Sequence, residues 1–434
     1  MRPGSSPIVA IVGGATAGAE TAALLAERGV RAVVFEQNAR PYGKIEDGLP
    51  RWHAKLRRKE YDTITERLAR PEVEFVPCTK VGRDIDLRDL TSWGFSAVIL
   101  AHGAWRDRPL PVEGAEHYVG KGLVYQNAFI YWFNHYTEKG YRGPQYRVED
   151  GAIVVGGGLA SIDVIKVLQL ETVRQALEQR DIMEDVLDLE HDGIPSALAR
   201  HGLEWDDLGL TGATLYYRRR IEDMPLAEVP DTGDPARREK AEATRRKILE
   251  KAVQKYCFQV RPLHLPVGLL VEGDRLVGLR FQRTRVENEI AVPITGEIVE
   301  VRAPLVICSI GSVPEPMPGV EERDMLYQYT DREHGRVKGF ETVFGAGNVV
   351  TGKGNILASR RHSVQVANYV AEHVLGLGRS EETARHVLSV VAGRPALTPA
   401  QDEEIRRRVR ERQHTVGYTT FREWLTRMTP PDLA

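Results

Sequence analysis

Val12-Gly13-Gly14-Ala15-Thr16-Ala17-Gly18 is the stretch that decides the fold of this chain. It follows a short β-branched run, Ile8 to Val12, and opens a helical stretch from Ala17 to Arg28 that Gly29 ends. The next strand, Arg31 to Glu36, closes on an acid 18 residues after Gly18. Strand, glycine turn, helix, strand and acid in this order form a dinucleotide-binding unit. Gly13, Gly14, Ala15, Ala17 and Gly18 supply the turn, and Glu36 accepts hydrogen bonds from a free ribose. Ala15 stands where such turns carry a glycine that lets the backbone approach a pyrophosphate. Its extra methyl predicts a small displacement of the loop.

The pattern recurs at Val155-Gly156-Gly157-Gly158-Leu159-Ala160-Ser161, between a strand at Ala152 to Val155 and an amphipathic helix at Ala160 to Leu170. Gly156, Gly158, Leu159 and Ala160 are the predicted pyrophosphate contacts. The following strand, Thr214 to Tyr217, ends in Arg218, Arg219 and Arg220. Arginine at that place neutralises a ribose 2′-phosphate. A chain that holds one unphosphorylated and one phosphorylated dinucleotide is most simply an FAD enzyme that uses NADPH. The connection over residues 171–213 is long and acidic, and it reads as a solvated helical insertion that could offer a partner surface.

A third segment, Thr342-Val343-Phe344-Gly345-Ala346-Gly347-Asn348, reads as a strand entering a glycine turn, with a helix from Ile356 to Leu375. Gly347, Asn348, Gly354, Asn355 and Ile356 are candidate contacts for a flavin and its ribityl chain. The same residues approach a P-loop, but Gly354 stands where a magnesium-binding Ser or Thr is required, which excludes an ATPase.

Composition agrees with an ordinary globular chain. It has 434 residues, too many for one core, 42% hydrophobic content and a net charge of −2, with no bias toward nucleic acid. No stretch has the length of a membrane span, and the N-terminus lacks a secretory signal, which predicts a cytoplasmic protein. Cys78, Cys257 and Cys308 lie far apart and read as small buried hydrophobes. Without a C-x-x-C pair or four cluster cysteines, a redox dithiol and an internal iron–sulfur cluster are excluded, and no metal site is read.

Further matches carry a family resemblance. Pro41 to Gly48, with His53 five residues on, the strand and exit Val98 to Gly103 with Pro109 to Gly114, and Phe129 to Asn134 each have counterparts there. So do Gly156 to Asp163 and the long match Tyr217-Arg218-Arg219-Arg220-Ile221-Glu222-Asp223-Met224-Pro225. Over residues 8 to about 375 the chain resembles the adrenodoxin-reductase-type ferredoxin–NADP reductases, with the glutamate synthase small subunit a near relative. The resemblance adds Gly43, Gly48 and Gly103 to the FAD contacts. It makes His53 and Asp163 candidates for positioning and proton management, with Glu228 a looser third. Asn348 departs from the acid common in the glutamate synthase branch, and that branch's cysteine-rich extension is missing.

The fold expected is α/β, with two Rossmann-like three-layer domains and the NADPH domain inserted into the FAD domain. The expected boundaries are 1–115, 116–335 and 336–434. The resemblance implies electron exchange between NADPH and a ferredoxin-like carrier. Alternatives are an electron-input subunit of a larger enzyme, hence part of a hetero-oligomer, or a non-catalytic flavin-binding regulatory or assembly protein. A homo-oligomer is equally compatible. Basic helices at Ala400 to Gln413 and Arg237 to Lys255 could attract an acidic carrier, though acids are interleaved in both.

Overall fold

The structure, a computed structural model, describes residues 7–227, 234–377 and 397–430. The chain divides into two compact units. One comprises Met1–Leu49, His53–Arg106 and Ser312–Ala434, and the other Pro50–Trp52 and Asp107–Gly311. The divisions at Arg106/Asp107 and Gly311/Ser312 fall earlier than the expected 115/116 and 335/336. The physical reason at the second is that Tyr329–Asp331 already belongs to the first unit's sheet.

In that unit seven strands run in the order Tyr329–Asp331, Arg336–Val337, Val343–Gly345, Ala97–Leu100, Ile8–Val12, Arg31–Phe35 and Val73–Val76. The last five are parallel, and Arg336–Val337 is antiparallel to both neighbours. All five residues of Ile8–Val12 are buried, as a parallel strand covered on both faces requires. Val9 and Ile11 join the cluster that holds Ala19, Ala22, Ile64 and Val366. Ile8, Ala10 and Val12 point the other way, into a cluster with Ile405 and Val409. Chain order reverses across Ile8–Val12, which lies between Arg31–Phe35 and Ala97–Leu100. A crevice at such a switch point is where dinucleotides bind.

The second unit has five parallel strands in the order Leu123–Tyr125, Val306–Ser309, Ile153–Gly156, Thr214–Tyr217 and Gln259–Pro262. One face carries helices. The other is covered through Leu276, Leu279 and Phe281 by an antiparallel sheet of His264–Glu272, Arg275–Glu287 and Ile290–Arg302. Its third layer is therefore β rather than α, a feature the sequence reading missed.

Residues 171–213 correct a second expectation. The helix Leu159–Glu178 runs well past Leu170, and Val186–Asp192 and Ile194–Arg200 follow it. Val186, Leu189, Ile194, Ala197 and Leu198 are buried in the unit's main core. The connection is integral core, because acids on its exposed face masked the apolar stripe beneath.

Several arginines of the basic helices are already paired with acids of the protein. On Pro399–Thr415, Arg406 pairs with Asp402, Arg407 with Glu404 and Glu411, Arg408 with Glu404 and Arg410 with Glu403, while Ile405 and Val409 are buried. On Pro235–Tyr256, Arg246 pairs with Glu222, and Arg245 donates to the carbonyls of Ala227 and Glu222.

Candidate functional site

The first glycine turn is built by close approach. Gly13 has φ +98°, and a Cβ there would lie 2.7 Å from His102 Cα. A Cβ on Gly18 would lie 1.8 Å from the Gly13 carbonyl oxygen, so only glycine lets the helix Thr16–Ala26 start this close to the strand. Ala15 sits at the helix N-cap with an ordinary φ of −74°, so its methyl causes no backbone strain. That methyl faces Gly43, where a Cβ would come within 3.0 Å of it. Gly43 thus makes room for Ala15, and it has φ +49°. Gly48 is a plain helix C-cap at φ −118°, with no conformational demand for glycine.

Glu36 is buried and faces the turn, with one oxygen accepting the Gly14 N–H at 2.7 Å and the other the Asn38 N–H at 2.9 Å. Burial pushes its carboxyl up to about 7, against the pull of those two N–H donors.

The late segment meets the same turn. Gly347 has φ +74° and lies against Ala17, and its N–H donates to His362 Nδ1 at 3.1 Å. Burial lowers the His362 pKa, which keeps the imidazole neutral and able to accept. Asn348 opens the short helix Asn348–Thr351, with its Oδ1 buried and lacking a hydrogen-bond partner among the described residues. Asn355 is committed to capping: its Oδ1 accepts the Ala358 N–H at 2.7 Å, starting the helix Ile356–Tyr369. Gly354 is exposed and Ile356 packs at the core margin.

Gly103, with φ +74°, ends the strand exit, and beside it stands a group the sequence reading passed over. Tyr327 gives its hydroxyl proton to the Glu315 carbonyl at 2.6 Å, so its oxygen accepts from His102 Nε2 at 3.2 Å. That leaves Nδ1 of His102 an unprotonated acceptor, buried and without a partner among the described residues. Burial lowers this histidine to about 4.

Two buried acceptors that lack donors, Asn348 Oδ1 and His102 Nδ1, stand on segments that meet the Gly13 turn. Hydroxyl groups of a ribose or ribityl chain are the donors they need. With Glu36 beyond the turn, these residues fit an unphosphorylated dinucleotide such as FAD.

In the second unit, Gly156 is fixed by Ser161 and Ser309: a Cβ would lie 2.2 Å from the Ser161 Oγ and 2.3 Å from the Ser309 oxygen. Gly157, not singled out from sequence, lies flat on Tyr217, where a Cβ would be 2.3 Å from the ring. A Cβ on Gly158 would meet only Pro225, at 3.9 Å, and Leu159 and Ala160 are exposed at the first turn of a 20-residue helix. Unpaired N–H groups at such a terminus fit a pyrophosphate.

The three arginines separate. Arg219 donates to the Tyr217 hydroxyl at 3.1 Å, the Asp223 carbonyl at 3.2 Å and the Glu289 carbonyl at 3.1 Å. Arg220 pairs with Asp223 at 2.9 Å. The Arg218 side chain is exposed and makes no hydrogen bond or ion pair among the described residues, while its carbonyl is held by the Thr284 hydroxyl at 2.8 Å. The strand end is thus buttressed, with Arg218 as the side chain available to an anion.

His53 stands at the N-cap of the helix Ala54–Leu68 in the first unit, and Asp163 lies half-buried on Leu159–Glu178 in the second. Glu228 lies outside the described residues. Of the cysteines, Cys308 is buried, Cys257 half-buried and Cys78 exposed, which corrects the expectation of three buried thiols. Cys78 has a positive φ of 50°. Burial raises Cys257 to about 11 and Cys308 to about 12, so both are held as thiols. No helix among the described residues is long and apolar enough to cross a membrane.

Fold and turns together define a protein with two dinucleotide-binding domains. Over 388 residues the chain is 25% identical to the mitochondrial NADPH:adrenodoxin oxidoreductase of Salvelinus fontinalis, covering 82% of this chain and 76% of that one. It is 30% identical over 167 residues to the small chain of glutamate synthase [NADPH] from Mycobacterium tuberculosis, covering 36% of this chain and 32% of that one. Its fold is similar to that of Mycobacterium tuberculosis FprA, solved in complex with NADPH. The TM-score is 0.68 at 19% identity, over 94% of this chain and 91% of that one. No protein-family model matches. The chain is thus similar to NADPH:adrenodoxin oxidoreductases over most of its length.

Proposed function

We propose that this chain is an FAD-dependent oxidoreductase that passes electrons between NADPH and a ferredoxin-like carrier. The observation that carries the reading is the contrast between the two turns: a buried acid, Glu36, faces one, and an exposed arginine, Arg218, ends the strand beside the other. When bound, FAD supplies the conversion between two-electron hydride chemistry and single-electron transfer. The first unit serves as the FAD domain. Its Gly13 to Gly18 turn receives the pyrophosphate, Glu36 the adenosine ribose, and Gly347, Asn348 and His102 the ribityl side. The second unit serves as the NADPH domain, with Gly158 to Ala160 at the pyrophosphate and Arg218 at the 2′-phosphate. His53 and Asp163 are proposed to position the reacting groups, as the family resemblance implies.

The purified protein should carry about one FAD, visible as absorption in the blue. NADPH should bleach it, and a ferredoxin should restore the colour. Protein that stays colourless after incubation with FAD would sink this reading. Its similarity to glutamate synthase small chains supports a second one, an electron-input subunit. Stoichiometric co-purification with a large enzyme, and no acceleration by ferredoxin, would favour it. A flavin that binds but resists NADPH would point instead to a non-catalytic flavin-binding role.

A further inference from the structure

The helix Phe421–Met428 places Phe421, Trp424 and Leu425 on one face, at spacings of three and four, and all three are buried in the first unit. Phe421 meets Phe75 edge-on, with ring centroids 5.1 Å apart. Trp424 sends its indole N–H to the Ala39 carbonyl at 2.7 Å, giving that buried polar group the partner it needs. Ala39 follows directly on Asn38, whose own N–H holds one Glu36 oxygen at 2.9 Å, and the other oxygen holds the Gly14 N–H at 2.7 Å. The preceding helix ties down both ends of the neighbouring strands, at Phe75 near the Glu36 end and at Arg31 at the opposite end. Gln413 donates to the Phe75 carbonyl at 2.9 Å, and Asp402 pairs with Arg31 at 2.6 Å. Contacts therefore run without a break from the C-terminal helix through the Gln37–Arg40 loop to the acid and its glycine turn.

We propose that the helix Phe421–Met428 is a latch on the adenosine end of the FAD site, with Trp424 the positioning residue for Glu36. The inference rests on the reading of Gly13 to Glu36 as the FAD site. Glu36 can hold a ribose only while the loop after it keeps the carboxylate turned toward Gly14. The loop's neighbour in space at Ala39 is the indole of Trp424. Trp424 gives its hydrogen bond to Ala39 and not to the turn or the acid, so the effect of that bond passes through the loop.

The test uses holoprotein and two variants. Trp424→Phe keeps an aromatic ring in the core but removes the N–H. Ile405→Val trims the Pro399–Thr415 helix where it packs into a different cluster, one that does not include Ala39. FAD release is followed by the fluorescence of freed flavin on dilution, alongside the melting temperature and the visible flavin spectrum. Trp424→Phe should release FAD about three- to tenfold faster, the effect of one lost hydrogen bond. The flavin spectrum before release should be that of the wild type, and Ile405→Val should release at the wild-type rate even where its melting temperature falls. An unchanged rate in Trp424→Phe overturns the latch, and so does equal acceleration in both variants. Wild-type protein that holds no FAD overturns the underlying site reading, and the latch with it, before any variant is compared.

Discussion

Gly347 lies so close to Ala17 that a Cβ at position 347 would come within 2.6 Å of the Ala17 methyl. Two segments from opposite ends of the chain thereby meet at the start of one helix. The segment carrying Asn348 comes this close to the helix after the Gly13 turn only because both residues at this contact are small.

Gly347→Ala should therefore expel FAD. It adds a methyl where the backbone has φ +74° and where Ala17 leaves no room. Strain of this kind costs about 1–3 kcal/mol, enough to lower FAD affinity by one to two decades. Flavin content after gel filtration is the measurement, and full occupancy would count against the close contact.

Glu36 should give the FAD-free protein a distinct pH dependence. Its pKa is raised from 4.5 to about 7 on folding, so the folded protein binds this proton more tightly than the unfolded chain does. The associated stability is complete below pH 4.5 and is lost as pH rises through 7, a change of about 3 kcal/mol at most. Glu36→Gln should flatten the melting temperature of the apoprotein over that window, and an unaltered slope would contradict this. Ribose hydroxyls donating to the carboxylate favour its ionised form, so FAD binding should release a proton near neutral pH.

Arg218 and Arg219 should behave differently. Arg218→Ala removes the exposed guanidinium, so NADPH affinity should fall by about one to two decades with NADH unchanged. Arg219→Ala leaves the Asp223 and Glu289 carbonyls without their donor, so it should lower stability and weaken both nucleotides alike. Titrations of the two variants with both nucleotides decide the matter. NADPH-selective loss in Arg219→Ala alone would reverse the assignment.

Three helices of the first unit are joined by a charge network that should be costly to break. Glu20 takes Arg67 at 2.8 Å and Arg360 at 3.0 Å, while Arg360 also holds Glu60 at 2.8 Å. Glu60 is only 2% exposed. Arg360→Met strands Glu60 and should destabilise the protein by about 3–5 kcal/mol, measured by denaturant unfolding. Adding Glu60→Gln should recover part of that loss, and no recovery would show that the charge itself is not what costs.

Local order was legible in the sequence wherever neighbouring residues enforce it. Ile8 to Glu36 announces strand, turn, helix and acid because the period of the apolar residues and the glycine spacing are local properties. The second turn and its arginines followed in the same way. What lay hidden depends on partners distant in the chain. Acidic surfaces over residues 171–213 concealed a buried stripe, and the antiparallel sheet over 264–302 shows itself only when Phe281 stacks on Tyr216 at 4.2 Å. The sequence by itself determined that two dinucleotide turns exist and which end carries an acid and which arginines, since charge and spacing are written in order. Only the tertiary structure decided that Arg218 is available while Arg219 is occupied, that Gly43 makes room for Ala15, and that Trp424 reaches Ala39. Each of those depends on which side chains folding brings within a few ångströms, and spacing along the chain does not encode that.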